Sequence, residues 1–273
     1  MDVMWRGTAV FSLLVLLCGS APAAQDSKDR RSPGFEPYQR ANALFVAQNF
    51  PESAAAIEEA LRLDPKLVPA LTLKAKIAML AKNYDVARQT LEAALVADPA
   101  STYAQLLYGL QFYLRNDMER ALPEFEKARK LNPSDARAAV YLGRTAEALG
   151  QTGRALSLYE ETVRIEEAAG GAQPDTLLAG SRLLLLAGRL DDCEQWTRRA
   201  VKLDSSSRDG HYELARVLLR KGDAAGAAAE GEMALRFANG DTQDRQIHYL
   251  LVLAYRENSP ADAARHAKAM GQN

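Results

Sequence analysis

The sequence predicts an all-α solenoid, a stack of antiparallel helix pairs, and three observations carry that reading. Proline recurs at Pro65, Pro99 and Pro133, an interval of 34 residues. The stretches before each proline share one order of small and large side chains. Alanine and leucine are abundant, and among 273 residues 48% are hydrophobic but only 7% aromatic, a balance that leans towards helix. A fixed period of this length marks an array of supersecondary units, none of which can bury its apolar face alone.

The chain opens differently. "TAVFSLLVLLC", residues 8–18, is an almost wholly apolar run after Arg6. It is shorter than the ~20 residues of a membrane span. "APA", residues 21–23, follows with the small residues that a signal peptidase reads. Residues 1–23 are therefore expected to be a secretory signal peptide, cleaved after Ala23, which places the chain outside the cytoplasm, periplasmic or secreted. The alternatives are an uncleaved anchor facing the periplasm, or a lipid on Cys18, although Leu17 stands where a lipidation signal has a small residue. After cleavage one cysteine remains, Cys193, so no internal disulfide is possible. Residues 24–33, "AQDSKDRRSP", are charged and carry no large apolar side chain, which reads as a flexible tether.

The repeats follow. "QNFPESAAAIEEALRLDP", "KNYDVARQTLEAALVADP" and "NDMERALPEFEKARKLNP" align on the prolines. Ser53, Ala87 and Ala121 form a small column, Ile57, Leu91 and Phe125 a large one, and Ala60, Ala94 and Ala128 a third. Spacings of three and four put these columns on one helical face. Small residues admit a neighbouring helix and large ones fill the space beside it. The polar pair before each stretch is a tight turn, and the proline ends the second helix. The units are 34–67, 68–101, 102–135 and 136–169; an insertion, "GGAQ" at 170–173, precedes 174–207 and 208–241. A partial seventh unit or C-terminal cap occupies 242–273. Cys193 falls in the small column and is expected to be an inert packing residue. Pro123 lies inside a second helix and predicts a kink or a late start there. Gly231 lies in the large column and predicts a packing deficit, making the sixth unit the softest.

Period, helix pairs, columns and terminal proline together resemble the tetratricopeptide repeat, whose pattern W-x2-L-G-x2-Y…A-x3-F…P recurs along six registers. The resemblance implies a right-handed superhelical solenoid of six to seven repeats, in which the first helices line a concave groove that binds proteins. Carried onto this sequence residue by residue, the groove positions of the first three units fall on Tyr38, Asn42, Phe45, Tyr103, Leu106 and Tyr113, with Met79 and Leu110. Those of the next three fall on Arg144, Arg182, Arg216 and Arg220, with Arg137. The groove is thus expected to be aromatic at one end and basic at the other, unless the arginines are neutralised by Asp175, Asp209 and Glu147. The chaperone-tail clamp of some family members is not expected, because Tyr38 and Leu73 replace two of its residues.

The sequence carries no catalytic constellation, cofactor signature or metal motif: no H-E-x-x-H, no paired cysteines, no G-x-S-x-G and no phosphate-cradling loop. His211 and His248 fall near the same first-helix position and are expected to pack rather than ligate. With 34 basic against 35 acidic residues, the chain has no global pull towards nucleic acid or anionic membrane. The expected function is a non-enzymatic scaffold for a protein or peptide partner, with a membrane involved only if residues 8–18 are retained or Cys18 is lipidated. An envelope assembly subunit and an accessory part of an enzyme system are the alternatives.

Overall fold

Between Phe35 and Met270 fourteen α-helices follow one another in the computed structural model, which describes residues 29–271; no strand occurs among these residues. The expected signal peptide lies outside them. The helices form two units. Residues 29–151 hold α1 (Phe35–Val46), α2 (Phe50–Leu63), α3 (Val68–Leu80), α4 (Tyr84–Ala97), α5 (Thr102–Leu114), α6 (Met118–Leu131) and α7 (Ala136–Ala148). Residues 152–271 hold α8 (Thr152–Ala168), α9 (Pro174–Leu186), α10 (Leu190–Leu203), α11 (Arg208–Arg220), α12 (Ala224–Arg236), α13 (Asp244–Tyr255) and α14 (Pro260–Met270). Within each unit consecutive helices pack as hairpins, and the first helices of neighbouring hairpins also touch.

The helix stop is built by more than proline. Asp64, Asp98, Asn132 and Asp204 each follow the last residue of a second helix, with φ between −145° and −134° and ψ between 90° and 94°. Each side chain accepts the backbone N–H two residues on, at 3.0–3.2 Å. Such a turn gives the chain an alternative to the next helical hydrogen bond. Three of these residues precede proline, which favours the extended conformation they adopt; Asp204 precedes Ser205 and does the same without it. The fourth repeat has Glu166 at this position. There α8 runs on to 17 residues, against 14 for α2, α4, α6 and α10. Gly170 (φ 126°) and Gly171 (φ 145°) reverse the chain, and the insertion supplies both. Glu166 reaches back from inside: one carboxylate oxygen accepts Gln173 N–H at 2.9 Å and the other the Thr176 hydroxyl at 2.8 Å. Burial pushes its carboxyl above the usual range.

The turns inside the hairpins keep their own column. Gln48, Lys82, Asn116, Gly150, Gly188 and Gly222 all have φ between 58° and 85°. This left-handed residue lets the chain reverse before the next helix starts, capped in α4, α6 and α12 by the side chains of Asn83, Asp117 and Asp223. The last hairpin departs: Arg256 is right-handed, α13 begins two residues later than the 34-residue count, and Gln243 with Gln246 forms a capping box.

The small, large and alanine columns are buried as their spacing predicts, with Ile57, Leu91 and Phe125 at 1% exposure or less. Burying each such side chain contributes roughly 1.5–3 kcal/mol. The small column has a polar use as well. Ser53 Oγ donates to Ala41 O at 2.8 Å, and Cys193 Sγ donates to the equivalent carbonyl, Ser181 O, at 3.2 Å. Cys193 is buried, and burial pushes its thiol up to about 11, so it is the inert packing residue expected.

Three expectations are corrected. Of the two outcomes expected at Pro123, the late start does not occur: helix α6 starts at Met118 on an Asp117 cap, continues through Pro123 and matches α4 in length. Gly231 leaves no deficit: a Cβ there would lie 2.7 Å from Leu251 Cδ2, because Leu251 of α13 already fills the space. Of the expected tether, residues 29–33 are described, and Ser32 Oγ donates to Asp64 at 2.6 Å, fixing this stretch on the first hairpin.

Candidate partner-binding surfaces

The N-terminal unit presents α1, α3, α5 and α7 side by side. Of the residues assigned to its binding face, Tyr38, Asn42 and Tyr113 are half-buried, whereas Phe45, Tyr103 and Leu106 are buried. Their area is taken up internally. Phe45 meets Phe50 edge-on at 5.6 Å. Tyr113 meets Tyr141 edge-on at 5.4 Å, and Tyr141 stacks on Phe125 at 5.4 Å. Burial pushes the Tyr141 phenol up to about 12 and raises Tyr113 as well.

The face also carries cations, of which Lys76 is the one that the sequence reading did not assign to it. Lys76 is buried, its ammonium 4.6 Å from the Phe45 ring centre and 5.9 Å from that of Tyr103. Arg137 also lies over the Tyr103 ring, 5.4 Å from its centre, and is clamped by Asp135 at 2.9 and 2.8 Å. Arg144 lies 5.8 Å from the Tyr141 centre. Such contacts favour a cation by ~0.5–2 kcal/mol according to desolvation. A signal for Lys76 existed: it stands two periods before Arg144.

In the C-terminal unit two of the assigned arginines, Arg182 and Arg216, converge on one glutamate. Glu213 of α11 is buried. Its carboxylate accepts Arg216 Nη1 at 2.7 Å and lies 3.8 Å from Arg182 Nε of α9. Burial raises the Glu213 carboxyl, and the two guanidiniums oppose that shift. One of the expected partners, Asp209, is engaged elsewhere. Asp209 accepts the Asp241 and Thr242 backbone N–H groups at 3.0 and 2.9 Å, fixing the loop before α13. Arg182 and Arg220 stay exposed, while Arg144 belongs to the N-terminal unit. Structural polar work falls to Arg208, which is buried, donates to Phe237 O at 2.8 Å and pairs with Asp244.

The two histidines expected to share a role part company. His211 is buried against Phe237 at 5.7 Å, with Nδ1 2.6 Å from Glu230. His248 instead meets His266 of α14. Among the described residues, no three or more His, Cys, Asp or Glu side chains gather as a metal site, and no helix is long and apolar enough to cross a membrane. One shallow apolar hollow of about 210 Å³ lies between α2, α3 and α4, with Ile57, Ile77 and Val86 in its wall and the Glu58–Lys74 ion pair (2.6 Å) at its edge.

The family model for the tetratricopeptide repeat matches residues 38–102, 109–172 and 179–242, each span two hairpins long. The chain belongs to the tetratricopeptide repeat family. Tetratricopeptide repeat protein 37 of Xenopus laevis is 30% identical over 126 residues, which is 44% of this chain and 8% of that much longer protein. Among solved structures, PilF of Pseudomonas aeruginosa superposes with a TM-score of 0.68 at 18% identity, over 76% of this chain and 93% of that one. PilW, described as a type IV pilus biogenesis factor, gives 0.65 at 22% identity over 80% and 98%. Yeast Tom70 gives 0.63 at 17% over 85% and 50%. At these identities the likeness carries the fold alone. Tetratricopeptide repeats are generally non-catalytic scaffolds, and a protein–protein interaction role follows from the family.

Proposed function

We propose that this tetratricopeptide protein is an exported scaffold that holds an extended segment of a protein partner against the first helices of its repeats. The observation that carries this reading is the state of the arginines in the C-terminal unit. Glu213 orients Arg216 from behind, while Arg182 keeps half its surface in solvent and reaches Glu213 only at 3.8 Å. Guanidinium donors are left facing outwards, suited to carboxylates of a partner. In the N-terminal unit Tyr38, Asn42 and Tyr113 keep enough exposure to offer aromatic area and hydrogen bonds, the kinds of contact that dominate interfaces. Export is supported by the apolar run at 8–18 and the small residues at 21–23.

The test is capture of partners by the purified full-length chain from its own extract, followed by sequencing. Arg182→Gln with Arg220→Gln should lose the captured protein without moving the melting temperature; an unchanged captured set overturns the arginine face. Arg216 is left intact because its removal would strand the buried Glu213 carboxylate, at a cost of about 3 kcal/mol or more. Mass spectrometry of the chain from its native host tests the export reading. A mature N-terminus at Ala24 supports release, acylated Cys18 a lipid anchor, and an intact start a membrane-retained assembly subunit.

A further inference from the structure

Successive repeats fill the same contacts between helices with different side chains, and one such contact is left open. Where α2, α3 and α4 meet, Ala54, Ala78 and Ala81 line the hollow of about 210 Å³. One period on, the same three positions hold Arg88, Phe112 and Arg115; two periods on, they hold Leu122, Ala146 and Leu149. Phe112 is buried, with Tyr108 edge-on at 5.3 Å and the Arg120 guanidinium 5.9 Å from its ring centre. Tyr108 and Arg120 stand where the hollow has Lys74 and Val86. The third repeat therefore closes this contact with an aromatic ring of its own, and the second repeat, with alanine at all three positions, leaves it open.

We propose that this hollow is a docking site for one neutral aromatic side chain of a protein partner. Size is the first reason. A cavity of ~150 Å³ holds a benzene ring, so a phenyl ring fits within about 210 Å³. The walls, Ile57, Ile77 and Val86, take that ring's apolar area out of water.

Charge complementarity is the second reason. The edge of the hollow holds one ammonium and one carboxylate, Lys74 and Glu58, 2.6 Å apart. A partner carboxylate entering there meets Glu58, and a partner ammonium meets Lys74, so a charged occupant is disfavoured either way. The Lys74 ammonium does complement the negative face of a neutral ring, as Lys76 does over Phe45 at 4.6 Å. An aliphatic side chain fills the same space but offers that ammonium no such face. Ala54 is half-buried and Ala81 exposed, so the mouth opens to solvent. None of the lining residues is among those assigned to the first-helix groove, and the site stands apart from the arginine face. A single aromatic anchor in a pocket rimmed by charge is the pattern of an interface hot spot.

The experiment is NMR of the full chain with labelled alanine methyls, titrated with N-acetylphenylalaninamide and, separately, with N-acetylleucinamide, whose side chains are alike in hydrophobicity. The Ala54, Ala78 and Ala81 methyls should shift with the ring current and saturate in the millimolar range with the phenylalanine amide. The leucine amide should bind severalfold more weakly. Ala78→Phe puts in place the side chain that the third repeat uses, and should abolish the response of Ala54 and Ala81. Absence of a saturable shift at these methyls overturns the docking site, as do equal affinities for the two amides or a folded Ala78→Phe chain that still responds. Should Ala78→Phe not fold, Ala81→Leu decides, since Ala81 is exposed and its equivalent two periods on is Leu149. It should weaken the phenylalanine amide severalfold, and unchanged binding overturns the site. Methyl shifts that grow with protein concentration alone make a second copy the occupant and overturn the partner. Arg182→Gln with Arg220→Gln should leave the titration unchanged, so this site and the arginine face stand or fall separately.

Discussion

The first three hairpin turns and the next three follow the same backbone path with different residues. Gln48, Lys82 and Asn116 hold φ near +60°, where a side chain crowds the backbone, whereas Gly150, Gly188 and Gly222 hold similar angles without one. The helix stops divide in the same place. Asp64, Asp98 and Asn132 are each followed by proline, while Asp204 turns the chain with serine behind it and Glu166 does so across a four-residue insertion. The early repeats accept strain in the turn and a stiff stop after it. The later ones relax the turn and rely on side-chain hydrogen bonds for the stop. The family's geometry therefore fixes a backbone path and leaves open which residue enforces it.

The sharpest way to break this comparison is at Glu166. Glu166→Ala leaves Gln173 N–H and the Thr176 hydroxyl without their acceptor, and should cost about 2–3 kcal/mol in urea unfolding. Asp98→Ala, at the same column position but only half-buried and backed by Pro99, should cost about 1 kcal/mol or less. Equal costs would mean that the Gly170–Gly171 reversal alone ends α8. A second contrast lies in the helix contacts. A Cβ at Gly180 would lie 2.3 Å from the Trp196 ring and one at Gly109 2.8 Å from Phe125. Both alanine variants should lose stability, Gly180→Ala by about 2–3 kcal/mol and Gly109→Ala by about 1–2, the range of overpacked cores. A reversed order in thermal melts would show that the half-buried Trp196 swings aside more easily than the fully buried Phe125.

These contrasts also show what was legible. The ruler, the hairpins and the buried columns stood in the sequence because spacing alone places Ile57, Leu91 and Phe125 on one face. The aspartate and asparagine before each stop were equally visible in "ALRLDP", "ALVADP" and "ARKLNP". The proline beside them took the credit, and Asp204 reveals the division of labour by working alone. Gly231 was misread because a missing side chain in one repeat says nothing about the neighbour's Leu251, which comes from another helix. The arginine face was half legible. Register put Arg182 and Arg216 at equivalent positions, but their partner Glu213 is one of many glutamates, and only burial between two helices singles it out. Aromatic Phe45 and Tyr103 were assigned to a surface by family position and lie inside because Lys76, Phe50 and Arg137 close over them.

The turn column predicts opposite signs in the two groups. Lys82→Gly removes the crowding of a left-handed side chain and should raise stability by about 0.5–1 kcal/mol, while Gly188→Ala introduces it and should lower stability by about 1 kcal/mol. No atom lies within 4 Å of a Cβ at Gly188, so backbone conformation alone would set the cost. A shift of the same sign in both variants would remove strain as the difference between early and late turns.

The smallest effect tests whether proline is a stop or a stiffener. Asp204 already has φ −134° and ψ 90°, close to the −142° and 94° of Asp64 before Pro65. Ser205→Pro should therefore fit without moving Asp204, whose side chain goes on accepting Ser206 N–H. Its gain would come from the unfolded chain, which loses freedom, and is about 0.4–1 kcal/mol. If Ser205→Pro raises the urea midpoint while α10 keeps its length, the early prolines add rigidity to stops that the acidic or amide side chain already makes. If it lowers the midpoint, the serine stop follows a path that proline cannot take, and the two halves of the array differ in backbone as well as in residue.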